Sequence, residues 1–557
     1  MAIDSEQRLQ QDMQHATQIP ANPRQNLIID IAIALVLAIA VAGLTMLWFS
    51  FDHHFPAQDE AEHIMNSMAC RDLLRHIHPF SLHWWYQVLT VNRFYPPLIY
   101  LLNGFFLLAF GQTRFVDQAA MAFFTGLMVM TVYAIVRVLS GARLAACISA
   151  LCICMYPLIS SLSHSFFLDL PEVAMTSAAL LALLWWRSAK NPNWKRTLLC
   201  GIIVGIACLA KQLVAAYLIP VGLYYLIIDI GTAAQQRVLK TQWIAHTFFI
   251  GLITLLIGLP FIVINYQFSR DLTNSLVQDM AAKHIHVSYI DKVSAYWQIL
   301  PQQMSALLFA VFLFALVFVS RRQHLRLLAI GLSALGGLLL TCALPGFGQS
   351  ARYLAPFLIA PAIYTGFLLA NSILTPIRWQ QFLATAIIIV ASVNCMFYNF
   401  VPYPFDCPQL RWLSSFLDHR DNPIPSADWG HSLVLETIER VDGNKPVYLN
   451  VLTNLETLHG HAFELLLKEE GNTAIKPTSS RFYTIVGDRV RFSPATALYN
   501  QWYLWKTGSV GYKFYDKQSE DSFKQLVDFI RHSGNYKLMA QKALPDGSQL
   551  MLFRQKT

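Results

Sequence analysis

The chain has 557 residues, 55% of them hydrophobic and only 13% charged, with a mean hydropathy of +0.42. That composition excludes an ordinary soluble globular protein and points to repeated bilayer-crossing segments. The formal charge of +8 is no nucleic-acid signature, because Lys and Arg form short clusters between apolar runs, as inner-leaflet loop charges do.

In chain order, a polar segment at 1–27 without a cleavable-signal pattern is expected to be cytoplasmic, with the first apolar run staying as an anchor. Runs near the ~20 residues a helix needs to cross the hydrocarbon core predict eleven spans: 28–50, 119–139, 144–163, 171–187, 198–213, 214–231, 243–265, 303–320, 327–343, 353–371 and 381–400. With residue 1 inside, every inner loop is basic, carrying Arg137 and Arg143, then Arg187, Lys190, Lys195 and Arg196, then Arg237 and Lys240, then Arg321, Arg322 and Arg326, then Arg378. The apolar stretch "YPPLIYLLNGFFLLAFG" at 95–111 would invert that pattern if it crossed. It is therefore expected as a juxtamembrane or re-entrant helix within the first outer loop, 51–118. Residues 28–400 then form a transmembrane domain. Composition turns polar at 401–557, read as an extracytoplasmic α/β domain with a strand at "KPVYLNVL", helices at "HGHAFELLLKEE" and "SEDSFKQLVDFIRHSG", and a closing hairpin turning at Pro545-Asp546-Gly547.

Charge at the predicted outer face is sparse and therefore informative, since a carboxylate near the bilayer is costly. "AQDEAEH" at 57–63 supplies Asp59, Glu60 and His63; Asp59, three residues before Glu62 and ahead of an apolar periodic run, is expected to cap an interfacial helix there. Asp169 lies two residues before the proline that opens the next span. Lys211 interrupts an apolar stretch, where a lysine reaches the interface or pairs with an anion. Arg352, beside Tyr353, sits at a glycine-bearing span entrance, where a guanidinium can fork onto a phosphate or anchor at the interface. Two acids and two bases on one face suit an anionic lipid headgroup. Six cysteines inside apolar runs read as core, while Cys70, Cys395 and Cys407 lie where a disulfide can form.

The ordered motifs "DEAEH", "NRFYPPLIYLLNGFFLLAFG", "HSFFLDLPEVAMTSAALLALL", "GIACLAKQLVAAYLIP" and "ARYLAPFLIAPAI" resemble the GT-C membrane glycosyltransferases, in particular the superfamily of protein O-mannosyltransferases and aminoarabinose lipid A transferases. The resemblance spans roughly 28–400. It implies a polytopic GT-C fold in an inner (cytoplasmic) membrane, with site and C-terminal domain periplasmic or extracellular. It also implies inverting transfer of a hexose or pentose from a polyprenyl-phosphate-sugar donor to a protein, lipid A or envelope glycan, and no nucleic-acid partner. By the same resemblance Asp59 is the general base or the acceptor-orienting carboxylate, supported by Glu60, with Asp169 the second acid. Lys211 and Arg352, with Tyr353, hold the donor phosphate, and Arg93, Tyr95 and His63 line the cavity. Some relatives bind zinc through a glutamate preceding the Pro-Pro helix; Phe94 and Tyr95 stand in that region here. A divalent metal is left open, with His284 and His286, or His53, His54 and His63, as candidate ligands. The alternative is a transporter or lipid-linked glycan exporter, against which no inverted repeat is visible and the charges gather at one face.

Overall fold

The computed structural model describes residues 23–400, 427–479 and 497–556, except 54, 190, 192, 237–240, 283–287, 320, 345–349 and 512–516. From Pro23 to Phe400 the chain is helical. The first half runs α1 (Pro23–Phe51), α2 (Gln58–Arg75), α3 (Leu82–Thr90), α4 (Leu98–Phe110), α5 (Arg114–Ser140), α6 (Arg143–Cys154), α7 (Pro157–Ser163) and α8 (Asp169–Arg187). The second runs α9 (Trp194–Cys208), α10 (Leu213–Gln236), α11 (Thr241–Ala282), α12 (Tyr289–Met304), α13 (Ala306–Phe318), α14 (Arg321–Ala343), a 3-10 turn (Ala351–Leu358), α15 (Ile359–Leu374) and α16 (Arg378–Phe400).

The protein is a multi-pass membrane protein, yet fewer segments than eleven qualify as spans. Among the described residues six helices are long and apolar enough to cross, or eight if each of two bent pairs counts as one. Two predicted spans, 144–163 and 303–320, fall on the bent pairs, and three, 171–187, 198–213 and 327–343, fall on helices too short or not apolar enough to qualify. α6 and α7 meet at 69°, where Pro157 opens the second helix, and α12 and α13 meet at 112°. The latter bend turns on Ser305, whose φ of 63° is left-handed.

α4 is only 13 residues long, about 20 Å, and is too short to cross alone. It packs instead along α2. A Cβ on Gly104 would lie 2.8 Å from the Arg71 backbone nitrogen, so the missing side chain is what admits the second helix. α2 turns Ile64, Met65 and Met68 into that contact, and they are buried with Ile99, Tyr100 and Leu107 of α4.

Charge is held at both ends of the bundle. At one end Asp30 accepts from Arg137 (2.5 Å) and Arg143 (2.7 Å), and Arg187 pairs with Asp229 (2.5 Å). α8 carries Arg187 at its C-terminus and Asp169 at its N-terminus, about 27 Å away along the axis. The second group of charges is built around that Asp169 end.

Beyond residue 426 lies an α/β unit: α17 (His431–Asp442), β1 (Val447–Val451), α18 (Gly460–Glu470), β2 (Ile475–Ser479), β3 (Trp502–Lys506), α19 (Lys517–His532), β4 (Tyr536–Ala543) and β5 (Gln549–Gln555). The sheet order is β2-β1-β3-β5-β4, with β1 parallel to β2 and β3, and β5 antiparallel to β3 and β4. Alternation along the strands gives two apolar faces. Leu449, Trp502 and Leu504 pack with α17 and α18, while Tyr503 and Phe553 pack with Phe523 and Leu526 of α19. The strand at 447–451, both predicted helices and the terminal hairpin form where the sequence pattern places them. Of the cysteines where a disulfide can form, Cys70 and Cys395 are free thiols, and Cys407 lies outside the described residues.

Candidate functional site

α2 positions the first acids. Its N-cap is Ala57, which has no side-chain oxygen to offer, and the carboxylate that accepts from the Ala57 N–H is Glu60 Oε2 at 3.1 Å. The expectation that Asp59 caps this helix is therefore corrected: the helix begins two residues earlier, and Glu60 at the third helical position takes the capping bond. Glu60 is 1% exposed, and its other oxygen accepts from the Phe166 N–H (2.7 Å) and Gln118 Nε2 (3.4 Å). It thereby bolts the loop leading to Asp169 onto α2. Asp59, one residue earlier, is freed from structural duty; its side chain is 56% exposed and faces Arg352, 3.4 and 3.5 Å from the two terminal guanidinium nitrogens.

Arg352 rests over Phe167 (5.3 Å) and Tyr353 (5.7 Å), a cation on two aromatic faces. Tyr353 is held by its carbonyl, which accepts from the Tyr217 hydroxyl at 2.9 Å. Behind this pair Lys211 is buried, donating to Asp169 Oδ1 at 2.6 Å and Glu172 Oε2 at 2.8 Å, with its ammonium 5.1 Å over the Tyr353 ring. Lys211, which the resemblance puts at the donor phosphate, is engaged here by two carboxylates. The adjoining attractions of Asp169 and Glu172 outweigh burial and raise its pKa.

Glu172 was not singled out in the sequence, although it lies one turn after Asp169 on the same helix face, where a single cation can meet both acids.

The loop before α4 closes the site from below. Asn92 Oδ1 accepts from the N–H groups of Phe94 (2.9 Å) and Tyr95 (2.8 Å) in an Asx turn. Leu98 N–H donates to the Leu209 carbonyl (3.2 Å) and Gln212 donates to the Phe94 carbonyl, so this loop docks beside Lys211. Tyr95 stands in electrostatic reach of Lys211, Arg352 and Asp169, its phenol pushed up to about 12 by burial. His63 meets Tyr95 edge-on (5.5 Å), and its Nδ1 lies 3.0 Å from the Tyr100 hydroxyl. Burial takes the imidazole down to about 4 against the pull of Asp59 and Asp169, so it is neutral at physiological pH.

Asp59, Glu60, His63, Tyr95, Asp169, Lys211, Arg352 and Tyr353 thus converge from five separated stretches of chain. Arg93 is exposed at the edge, its carbonyl accepting from Ser269 Oγ (3.4 Å). His284, His286 and His54 lie outside the described residues. His53 Nδ1 is 3.0 Å from the Phe51 carbonyl, and His63 is committed to Tyr100; among the described residues no cluster of three or more His, Cys, Asp or Glu could hold a metal.

Residues 95–264 match the family model described as dolichyl-phosphate-mannose-protein mannosyltransferase. The fold as a whole superposes on the crystal structure of ArnT from Cupriavidus metallidurans in the apo state, with a TM-score of 0.54 over 96% of this chain and 98% of that one, at 12% identity. The chain has the GT-C fold. The undecaprenyl-phosphate-bound structure of the same ArnT superposes with a TM-score of 0.52, covering 94% of this chain and 97% of that one at 12% identity. No curated protein matches in sequence. The agreement extends over both the helical bundle and the α/β unit, so this GT-C chain keeps the whole architecture while retaining little of the sequence.

Proposed function

We propose that the protein is an inverting glycosyltransferase of an inner (cytoplasmic) membrane, taking a sugar from a polyprenyl-phosphate donor and giving it to a protein, lipid or envelope-glycan acceptor at the extracytoplasmic face. One observation carries the reading: the exposed, loosely paired Asp59–Arg352 couple stands beside a closed, doubly paired lysine. A half-exposed ion pair contributes about 0–1 kcal/mol, so Arg352 can exchange Asp59 for a phosphate at little cost. Removing a partner from a buried pair costs about 3–5 kcal/mol, so Lys211 stays with Asp169 and Glu172, and its role is to hold the wall on which Tyr353 and Arg352 rest.

In this scheme Arg352 binds the donor phosphate and releases Asp59, which accepts the proton of the acceptor hydroxyl as that oxygen forms its bond to the anomeric carbon. The bond from that carbon to the phosphate oxygen breaks on the opposite side, which inverts the centre. Polyprenyl phosphate leaves with the electron pair, its charge met by Arg352. Asp169 acts through Lys211. In this reading the arginines paired with Asp30 and Asp229, at the opposite end of the bundle, are the inner-leaflet charges of the positive-inside rule.

The test is mass spectrometry of envelope lipids and glycoproteins from cells with and without the protein, followed by transfer from a polyprenyl-phosphate-linked sugar in proteoliposomes. A sugar-modified product that depends on the protein is expected. Unaltered envelope lipids and glycoproteins, or lipid-linked sugar moved across the membrane without transfer, would contradict the proposal.

A further inference from the structure

The α/β unit does not merely follow the bundle in sequence; it is docked on the helix that carries Asp59. Ala462 N–H donates to His459 Nδ1 at 3.2 Å, leaving Nε2 as the donor to the Pro56 carbonyl at 3.0 Å. This ties the start of α18 three residues from Asp59. A little over two turns further, Lys468 Nζ donates to the Met65 carbonyl (3.0 Å), and Leu465 joins the buried cluster that contains Met65 and Met68 of α2. His431 of α17 stacks on Phe55 at 4.5 Å.

Between these anchors α18 presents His461, whose Nδ1 lies 3.3 Å from Glu464 Oε2 one turn along. The groups around His461 are Asp59 and Glu62 from α2, Glu464 from α18 and His459 at the N-cap of α18, with Lys468 on the other side of Glu464 and Arg352 on the far side of the Asp59 pair. Three carboxylates therefore meet where an anionic donor must approach, and His461 is the titratable cation among them.

We propose that the C-terminal domain completes the candidate site by placing the His461 imidazolium beside Asp59 and Glu62, where it offsets their negative charge and strengthens binding of the donor phosphate. His461 is a positioning residue in this role, acting through the potential that the phosphate meets. Its pKa is raised, first by the bond to Glu464 and then by Glu62 and Asp59, against burial; that of Glu62 is raised by burial and drawn back down by His461. The consequence has a sign. Above the raised pKa of His461 the cation is lost, the carboxylates hold Arg352 more strongly, and donor affinity falls.

The inference rests on the phosphate-site reading above, so its test needs no transfer. Binding of undecaprenyl phosphate to the full chain in nanodiscs is measured at pH 6 and pH 8.5 for the wild type, His461→Gln and His461→Lys, with thermal unfolding confirming that each is folded. Titration of the lipid phosphate itself is common to all three proteins. Relative to His461→Lys, the wild type is expected to weaken by about fivefold at the higher pH, the effect of one unit charge at a partly solvated site. His461→Gln should be weaker by that factor at pH 6 and scarcely different from the wild type at pH 8.5. Should His461→Gln follow the wild-type profile, the assignment to His461 is overturned. An Arg352→Ala control separates the two ideas: if it too binds like the wild type, the phosphate site itself is misplaced.

Discussion

Two ion clusters stand side by side in this protein and do opposite work. In one, Lys211, Asp169 and Glu172 are almost sealed from solvent, at 2.6 and 2.8 Å. In the other, Asp59 and Arg352 touch at 3.4 Å with side chains 56% and 28% exposed. The contrast teaches that charge near a bilayer is not by itself a catalytic mark. A buried cluster with a doubly paired lysine holds α8 against the turn between α9 and α10, whereas the groups able to change partner are the open ones. Glu60 and Asp59 repeat the lesson between neighbours, one buried as a bolt and the other left facing solvent.

The comparison can be broken most forcefully at Lys211. Lys211→Ala leaves two carboxylates buried without their cation and is expected to cost about 3–5 kcal/mol of stability, read as a lower unfolding temperature or loss of folded protein from the membrane. Adding Asp169→Asn and Glu172→Gln should restore much of it. Arg352→Ala should do the reverse: stability shifts by no more than about 1 kcal/mol, while affinity for undecaprenyl phosphate drops about tenfold or more, as loss of a charge-assisted contact does. Equal destabilisation by the two variants would erase the distinction drawn here.

A gentler perturbation uses pH. His431 and His459 are each pushed down to about 4, by burial above all, and both lie at the junction of the C-terminal domain with the segment that leads into α2. A histidine whose folded pKa falls below its unfolded value of about 6.5 stabilises the fold only while neutral. Docking of the domain is thus expected to be intact above pH 6.5 and to loosen progressively as pH falls toward 4. Limited proteolysis or hydrogen exchange at 56–66 across that interval reports it, and unchanged protection at pH 4.5 would contradict it.

Much of this was legible in the sequence, for identifiable reasons. Asp59, Asp169, Lys211 and Arg352 stood out because each is charged inside or beside an apolar run, and their convergence followed from the order of the surrounding motifs. Glu172 escaped notice because an acid in the first turn of a helix is ordinary, and only the fold shows Lys211 reaching it. Hydropathy measures the length of an apolar run, whereas Pro157 and Ser305 bend the helix within two of the predicted spans, and 171–187, 198–213 and 327–343 form helices too short or too polar to qualify by themselves. The cap of α2 was misplaced by two residues since Ala57 carries no capping side chain, and the signal lay in Glu60. In the polar C-terminal domain, alternation and the Pro-Asp-Gly turn sufficed for β1, β4 and β5. The docking of that domain by His459 and Lys468 onto backbone carbonyls of α2 leaves no periodic trace and could not be read.

The most direct measurement is transfer by Asp59→Asn in proteoliposomes, with donor binding followed in the same preparation. An amide preserves the shape of the side chain but cannot accept the acceptor's proton, so donor binding should persist while the rate falls by about a hundredfold or more. Turnover at the wild-type rate would show that the open carboxylate beside Arg352 is not the group that acts.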